Sequence, residues 1–600
     1  MKLSDWIAQF CVCQGIRHVF MVTGGGAMHL NHSFGTHPEL TSIFNHHEQA
    51  CAMGAEAYYR LNNELAIVNV TSGPGGTNAI TGVYGAYVDS IGMVVISGQV
   101  KFETTVRSTG IPLRQYGDQE LDIERLVQPI TKYCVMVTDP STIRYHLEKA
   151  FYLATSGRPG PVWLDIPLDV QNAKINPDEL TSFDPNELDE PWRATNLDAA
   201  ATEIFYRLQE AKRPVVLAGG GVRLSGKHED FIHLIEKLGV PVVSGWNAHD
   251  VIWDSHPLYC GRPGTIGDRA GNFTVQNSDL LLILGSRLNI RQVSYNWSSF
   301  AREAFKIWVD IDPLEFQKPS VHPNLPIHAN LSDLLPVLVR ATYGGPTHSH
   351  HEWLAWCRER VTRYPTVLNE YWSQSEINPY CFMQSLFESL DEGQIIVTGN
   401  GSACVISFQA ATVKRGQRLW TNSGCASMGY DLPAAIGVAM AASGKKIICL
   451  AGDGSVMMNL QELQTIVGYN LPIKIFVLNN NGYSSIFQTH RNFFNGIEVG
   501  AGPKSGVSFP NFEKLARGFG IEYMNCISHH DMPLTIAAAI LSDKPIICEV
   551  FLDSDQSFAP KLSAKQHSDG RITSPPLEDL FPFLSREELL NNLLVRPVDD

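Results

Sequence analysis

The sequence predicts an α/β protein built from three doubly wound, mostly parallel sheets. Short β-rich runs that end in Gly, Asn or Asp recur along the 600 residues, among them HVFMVTGGG, LAIVNVTSGPGG, IGMVVISGQ, PVVLAGGG, DLLLILGSR, IIVTGNGS, IICLAGDGS, IKIFVLNNNG and PIICEVFLD. Each is followed by a helical pattern, as in LQELQTIVGYN after the GDG turn, and that alternation joins parallel strands and covers both faces of their sheet. Two polar stretches, near residues 168–197 and 342–352, interrupt the alternation and read as interdomain linkers. The expected units are residues 1–175, 190–342 and 352–556. A tail over 557–600, with the amphipathic stretch REELLNNLL, either docks over another domain or stays mobile.

Bulk properties narrow the class. An apolar fraction of 44% supplies several cores, and a net charge of −15 argues against nucleic acid or an anionic membrane surface as partner. No apolar run approaches the roughly 20 residues that span a bilayer. In MKLSDWIAQF, Asp5 stands where a signal peptide would enter its apolar stretch, so a cytoplasmic location is expected. The twelve cysteines form no CxxC pair and read as reduced, mostly buried small hydrophobes.

The strongest local signal is Gly452-Asp453-Gly454-Ser455 closing the run IICLA, answered 27 positions after Asp453 by Asn480 in VLNNNG. That spacing is about one strand-turn-helix-strand unit. It places Asp453 and Asn480 at the carboxyl ends of neighbouring parallel strands, where open α/β sheets bind ligands. A carboxylate, an amide oxygen and a backbone carbonyl near Gly482 are the hard oxygen donors with which Mg²⁺ holds a diphosphate. Gly454 and Ser455 let the next helix start close to a phosphate.

GDG followed at this distance by NN resembles the thiamine-diphosphate (ThDP) signature, and the chain from end to end resembles the acetohydroxyacid synthase branch of the ThDP enzymes. The resemblance implies pyrimidine-binding, central and diphosphate-binding domains in that order. Glu48, in IFNHHEQACAMGAEAYYR, is by itself an acid in a helix's first turn, where the macrodipole favours it. By resemblance it contacts N1′ of the aminopyrimidine and shares the proton that activates the cofactor. His46 and His47 beside it do not read as a metal pair, because consecutive side chains diverge. The resemblance further implies that Met428 wedges the bent cofactor, that Ala426 offers its carbonyl to the 4′-amino group, and that the turn Thr398-Gly399-Asn400-Gly401-Ser402 presents amides to the diphosphate, chiefly from Gly401 and Ser402. It places Gln99 near the reacting carbon, with Glu48 as the second catalytic residue. The Gly24-Gly25-Gly26 turn gives close backbone approach to the thiazolium. By resemblance SGPGGTNA, residues 72–79, lies at the interface with a partner subunit's cofactor, which implies a homo-oligomer, at least a dimer, as a homodimer or tetramer.

In the central unit, Gly219-Gly220-Gly221 is a weak dinucleotide fingerprint, since Leu224 stands where a third Gly belongs. Three further segments, 261–272, 285–292 and 308–313, resemble the family's FAD-binding parts, with Arg287 and Arg291 near the flavin and Asp310 near the ribose. Asn330 takes a place where the family often has Asp. FAD is expected in a non-redox role, because decarboxylation coupled to carbon-carbon bond formation passes no electrons to an acceptor.

The acceptor side departs from the synthases: Thr489 falls where they carry a Trp, Arg262 where they carry a Met, and Asp118 where they carry a Phe. The pocket becomes wider and wetter, and Arg262 is offered to a phosphate. The closer resemblance is to the flavin-containing enzymes of branched-deoxysugar biosynthesis, such as the yersiniose pathway. It implies transfer of pyruvate's two-carbon unit to a nucleotide-linked 4-keto-3,6-dideoxy sugar. The alternatives are an acetolactate (acetohydroxyacid) synthase and a pyruvate decarboxylase or oxidase. A non-enzymatic regulatory paralogue is disfavoured by the presence of Glu48, Asp453 and Asn480 together.

Overall fold

The β-rich runs become strands of three parallel sheets in a computed structural model that describes residues 1–188, 196–566 and 571–598. The first sheet orders Thr41–Phe44, His18–Met21, Ile67–Val70, Met93–Gln99, Pro161–Pro167 and Tyr133–Met136. The third orders Arg418–Trp420, Ile395–Thr398, Ile447–Gly452, Ile473–Asn479, Ile546–Phe551 and Glu522–Cys526. Both sheets therefore run second, first, third, fourth, sixth, fifth in chain order, so the two outer domains share one topology. Between them stands a five-stranded sheet ordered Leu325–His328, Phe305–Asp310, Leu280–Leu284, Pro214–Ala218 and Val242–Ser244. Interior strands such as Met93–Gln99 and Leu280–Leu284 are buried at every position, as expected when helices cover both faces. Thr41–Phe44 and Tyr133–Met136 lie at sheet edges and bury one residue each.

One contact unites the outer domains. Helix Glu48–Asn62 crosses helix Asp431–Ala441 so closely that a Cβ on Gly437 would lie 2.0 Å from the Gly54 carbonyl oxygen. A single apolar core runs through that crossing, from Phe20 and Trp163 to Ile436 and Ile547. Beside it Glu462 accepts hydrogen bonds from the Asn45 amide (2.8 Å) and the His46 backbone (3.0 Å).

The linkers differ in part from the sequence reading. The first contains helix Leu168–Asn172 and two 3-10 turns, and its residues 189–195 lie outside the described residues. The second ends at Thr347, which caps helix His348–Arg363 in a capping box completed by His350. Trp353 and Cys357 of that helix bury against the central sheet, so this stretch packs with the central domain and the expected start at 352 falls inside a helix. A His in place of the usual Glu or Gln hid the cap. The tail docks on the central domain as well. Glu578 accepts from Gln276 (2.6 Å) and pairs with Arg302 (2.9 Å), while the Asn277 side-chain amide donates to the Asn592 backbone carbonyl at 2.9 Å. No helix among the described residues is long and apolar enough to cross a membrane.

The helix crossing yields a stability prediction. Gly437→Ala forces a methyl into backbone and should destabilise the protein by about 1–3 kcal/mol, read as a lower Tm. An unchanged Tm would show that the crossing is looser than described.

Candidate cofactor sites

Asp453 and Asn480 stand just past the carboxyl ends of Ile447–Gly452 and Ile473–Asn479, which pair in parallel. Asp453 is buried and accepts the backbone N–H groups of Gly454 (2.7 Å) and Gly482 (3.0 Å). Burial pushes its carboxyl up to about 7 against the opposing pull of those amides, and a bound cation would draw it back down. Asn480 donates its amide N–H to Ser402 Oγ (3.2 Å), and its Oδ1 is buried without a partner among the described residues. A buried amide oxygen beside a buried carboxylate is a donor set that suits a hard divalent ion. Among the described residues no group of three or more His, Cys, Asp or Glu side chains is placed to hold a metal.

The surrounding turns are packed backbone to side chain. A Cβ on Gly454 would lie 2.1 Å from the Tyr483 ring, and one on Gly399 would lie 2.3 Å from Asp431 Oδ2. Ser455 Oγ donates to Asp431 (2.5 Å) and accepts from the Gly429 amide (2.9 Å), so its hydroxyl braces the Met428 loop and is not free for a phosphate. Gly401 adopts φ +81° at the cap of helix Ser402–Ala410. Ala426 holds a left-handed φ of +52°, uncommon for a residue with a Cβ, and Met428 beyond it is half-buried.

The other half-site lies in the first domain. Glu48 is buried and accepts from the Asn78 amide at 3.0 Å. Asn78 lies in the quoted 72–79 segment, yet sequence reasoning gave it no role. His47 caps the Glu48 helix by accepting from the Gln49 amide, and the Gln49 side chain accepts from Asn459 (2.9 Å), which also donates to the Gly429 carbonyl. All three residues of HEQ are thus engaged, and Gln49 links Glu48 to the Met428 loop. Gly24 and Gly75 pack against Thr71, whose Oγ1 accepts from the Gly26 amide at 3.0 Å; Gly26 packs against Ser72, and Gly25 faces open space. Gln99 is 1% exposed, donates to the Leu121 carbonyl (2.8 Å) and Asp165 (3.0 Å), and accepts from the Val100 amide, so its amide is hydrogen-bonded within the protein.

The central domain holds a cavity of about 390 Å³ lined by Gly219, Gly220, Gly221, Arg287, Asp310 and Asn330. A Cβ on Gly219 would lie 2.3 Å from the Gly285 carbonyl oxygen, so these glycines let two loops close the cavity floor. Burial raises the Asp310 carboxyl to about 6. Asn330 caps helix Leu331–Arg340 by accepting from the Ser332 amide, a role that Asp fills equally. Arg291 is not part of the lining, and its guanidinium sits 5.2 Å from the Trp246 ring centroid. Asn247 on the cavity wall exchanges two hydrogen bonds with Thr421, which ties the cavity to the Met428 loop.

Family signatures match in chain order: the thiamine pyrophosphate enzyme N-terminal TPP binding domain over 1–126, the central domain over 201–338 and the C-terminal TPP binding domain over 399–550. The acetolactate synthase large subunit of Lactococcus lactis is 31% identical across 93% of this chain and 94% of its own length. The chain belongs to the thiamine pyrophosphate enzymes. Isozyme 1 large subunit of Escherichia coli acetolactate synthase is 30% identical over 93% and 95%, and acetolactate synthase 1, chloroplastic, of Zea mays is 31% identical over 94% and 87%. This thiamine pyrophosphate enzyme is of the carbon-carbon bond-forming transferase type.

On the acceptor side the structure corrects one expectation. Arg262 of this thiamine pyrophosphate enzyme is 4% exposed, ion-paired with Asp254 and donating to the Ala411 carbonyl (3.0 Å). Its charge is answered internally, so it is not available to a phosphate. Asp118 is exposed on the loop before Glu120, and Thr489 is exposed on helix Ser484–Phe493. Arg262→Met should therefore act on stability, lowering it by roughly 3 kcal/mol because Asp254 loses its partner, in a thermal or urea melt. A melt identical to the parent's would reopen the phosphate role.

Proposed function

We propose that the protein is a ThDP-dependent carboligase that decarboxylates pyruvate and transfers the two-carbon unit to a ketone acceptor, a nucleotide-linked 4-keto-3,6-dideoxy sugar. The observation that carries the carboligase reading is the buried pair of Asp453 carboxylate and unpartnered Asn480 oxygen, with Glu48 buried in the other half-site. Bound there, ThDP supplies a carbon nucleophile and an electron sink for loss of CO₂.

The chain's own residues then have defined tasks. Asp453, Asn480 and the main chain at Gly482 hold Mg²⁺, and Gly401 and Ser402 face the diphosphate. Glu48, steadied by Asn78, exchanges a proton with N1′ of the pyrimidine. Ala426 and Met428 shape the cofactor on a loop braced by Ser455 and Asn459. The Gly24-Gly25-Gly26 turn approaches the thiazolium most openly at Gly25. Arg287, Asp310 and Asn330, which line the central cavity, would hold FAD there in a non-redox role, Asp310 and Asn330 as hydrogen-bond partners for the ribose and Arg287 for the flavin. Tyr84 and Tyr87, each 40% exposed on the helix that carries Asn78, support a face for a second copy of the chain.

The acceptor assignment rests on Thr489 and Asp118, two small or polar residues exposed where the synthases carry aromatic ones. The synthase relatives favour a second reading, acetolactate synthase. Purified enzyme given ¹³C-pyruvate with a nucleotide-linked keto sugar, with a neutral cyclic ketone, and alone separates the two. Ligation to the ketones should outpace acetolactate. Acetolactate formed far faster than any ketone is consumed would overturn the sugar reading in favour of the synthase.

A further inference from the structure

With Arg262 committed to Asp254, the phosphates of a nucleotide-linked acceptor need other cations, and the first domain offers two. A cavity of about 800 Å³ opens there between Gln99 and Leu121 on its inner side and the loop 105–114 with helix Ile123–Val127 on its outer side. Its volume is in the range of ligand sites, roughly 300–1,000 Å³. Glu120 fixes the loop. Its carboxylate collects the backbone N–H groups of Val106, Tyr116 (2.9 Å) and Gly117 (2.7 Å), so both arms of the loop hang from one side chain. The next residue back, Gln119, has φ +58°, and its carbonyl oxygen lies 2.6 Å from where a Cβ on Gly73 would be. The loop thus stands on the same turn that supplies Asn78 to Glu48.

Three arginines line this cavity, and their charges are not equally answered. Arg107 pairs with Glu124 (2.8 Å) and Asp122 (3.4 Å). Arg114 and Arg125 make no hydrogen bond or ion pair among the described residues, and Glu120, the remaining carboxylate in the lining beside Asp122, is consumed by backbone amides. Around these two free cations the wall is bare and apolar: Ile111 is 55% exposed, Leu126 46% and Leu113 44%. Guanidinium forks match phosphate oxygens, and apolar surface beside them suits a nucleoside base and ribose.

We infer that this cavity binds the nucleoside diphosphate portion of the acceptor, through Arg114 and Arg125 on the phosphates and Ile111, Leu113 and Leu126 on the nucleoside. The inference rests on the nucleotide-linked acceptor proposed above and assigns the part of the chain that recognises it.

The test titrates cytidine and uridine diphosphates, and inorganic pyrophosphate, into the holoenzyme by calorimetry, for the parent and for Arg114→Gln, Arg125→Gln and the double variant. A nucleoside diphosphate should bind more tightly than pyrophosphate, and the double variant should weaken it at least thirtyfold. In steady state the KM for a nucleotide-linked keto sugar should rise at least tenfold more than the KM for a neutral cyclic ketone. Far-ultraviolet circular dichroism and Tm verify that the variants are folded. No nucleoside diphosphate binding by the parent, or equal binding by the double variant, overturns the inference. Ligation of the keto sugar with KM unmoved by the double variant also overturns it, while leaving the acceptor reading intact. Arg-dependent nucleoside diphosphate binding without turnover of the keto sugar supports the cavity and counts against the acceptor reading.

Discussion

The Asp453 carboxylate lies buried at the end of a parallel strand, held by two backbone amides and by no ion pair among the described residues. Desolvation alone makes a charged carboxylate costly there, and its carboxyl rises to about 7. Asn480, on the next strand, keeps its amide oxygen buried and unpartnered. Two such groups in one place cost stability unless a cation repays them, and the neighbouring turns are arranged to permit this. Tyr483 closes over Gly454, Ser402 orients Asn480, and Ser455 and Asp431 lock the loop that leads to Met428.

The same constraint explains the relation of the outer domains. They repeat one strand order and meet where Gly54 and Gly437 let two helices touch. That contact fixes the register of helix Glu48–Asn62, and through Gln49 and Asn459 it fixes Glu48 relative to the Met428 loop. The central domain joins the arrangement from the side, where Asn247 grips Thr421. These two hydrogen bonds link the wall of the central cavity to the loop that carries Met428.

Much of this was legible in the sequence, and the reasons are physical. Interior parallel strands must be apolar throughout, and ligand turns at their ends must be Gly, Asp or Asn, so the sheets, Asp453, Asn480 and the central glycines stand out from composition and spacing. A helix capped by Thr347 and His350 lacks the usual acidic mark. Side-chain commitment is invisible in a sequence. Gln99 and Arg262 have the right residue types at suggestive places, yet Asp165 and Asp254 claim them across 66 and 8 positions. Asn78 was hidden for the opposite reason, because its partner Glu48 lies 30 residues away with no motif joining them.

The most direct test of the central claim is the dependence of ThDP binding on Mg²⁺ in Asp453→Ala, followed by quenching of intrinsic tryptophan fluorescence. With the Asp453 carboxylate removed, the variant should lose saturable, Mg²⁺-dependent ThDP binding while its far-ultraviolet circular dichroism matches the parent. ThDP binding with the parent's affinity and the parent's Mg²⁺ requirement would contradict the assignment of Asp453 and Asn480 as the metal-diphosphate cradle.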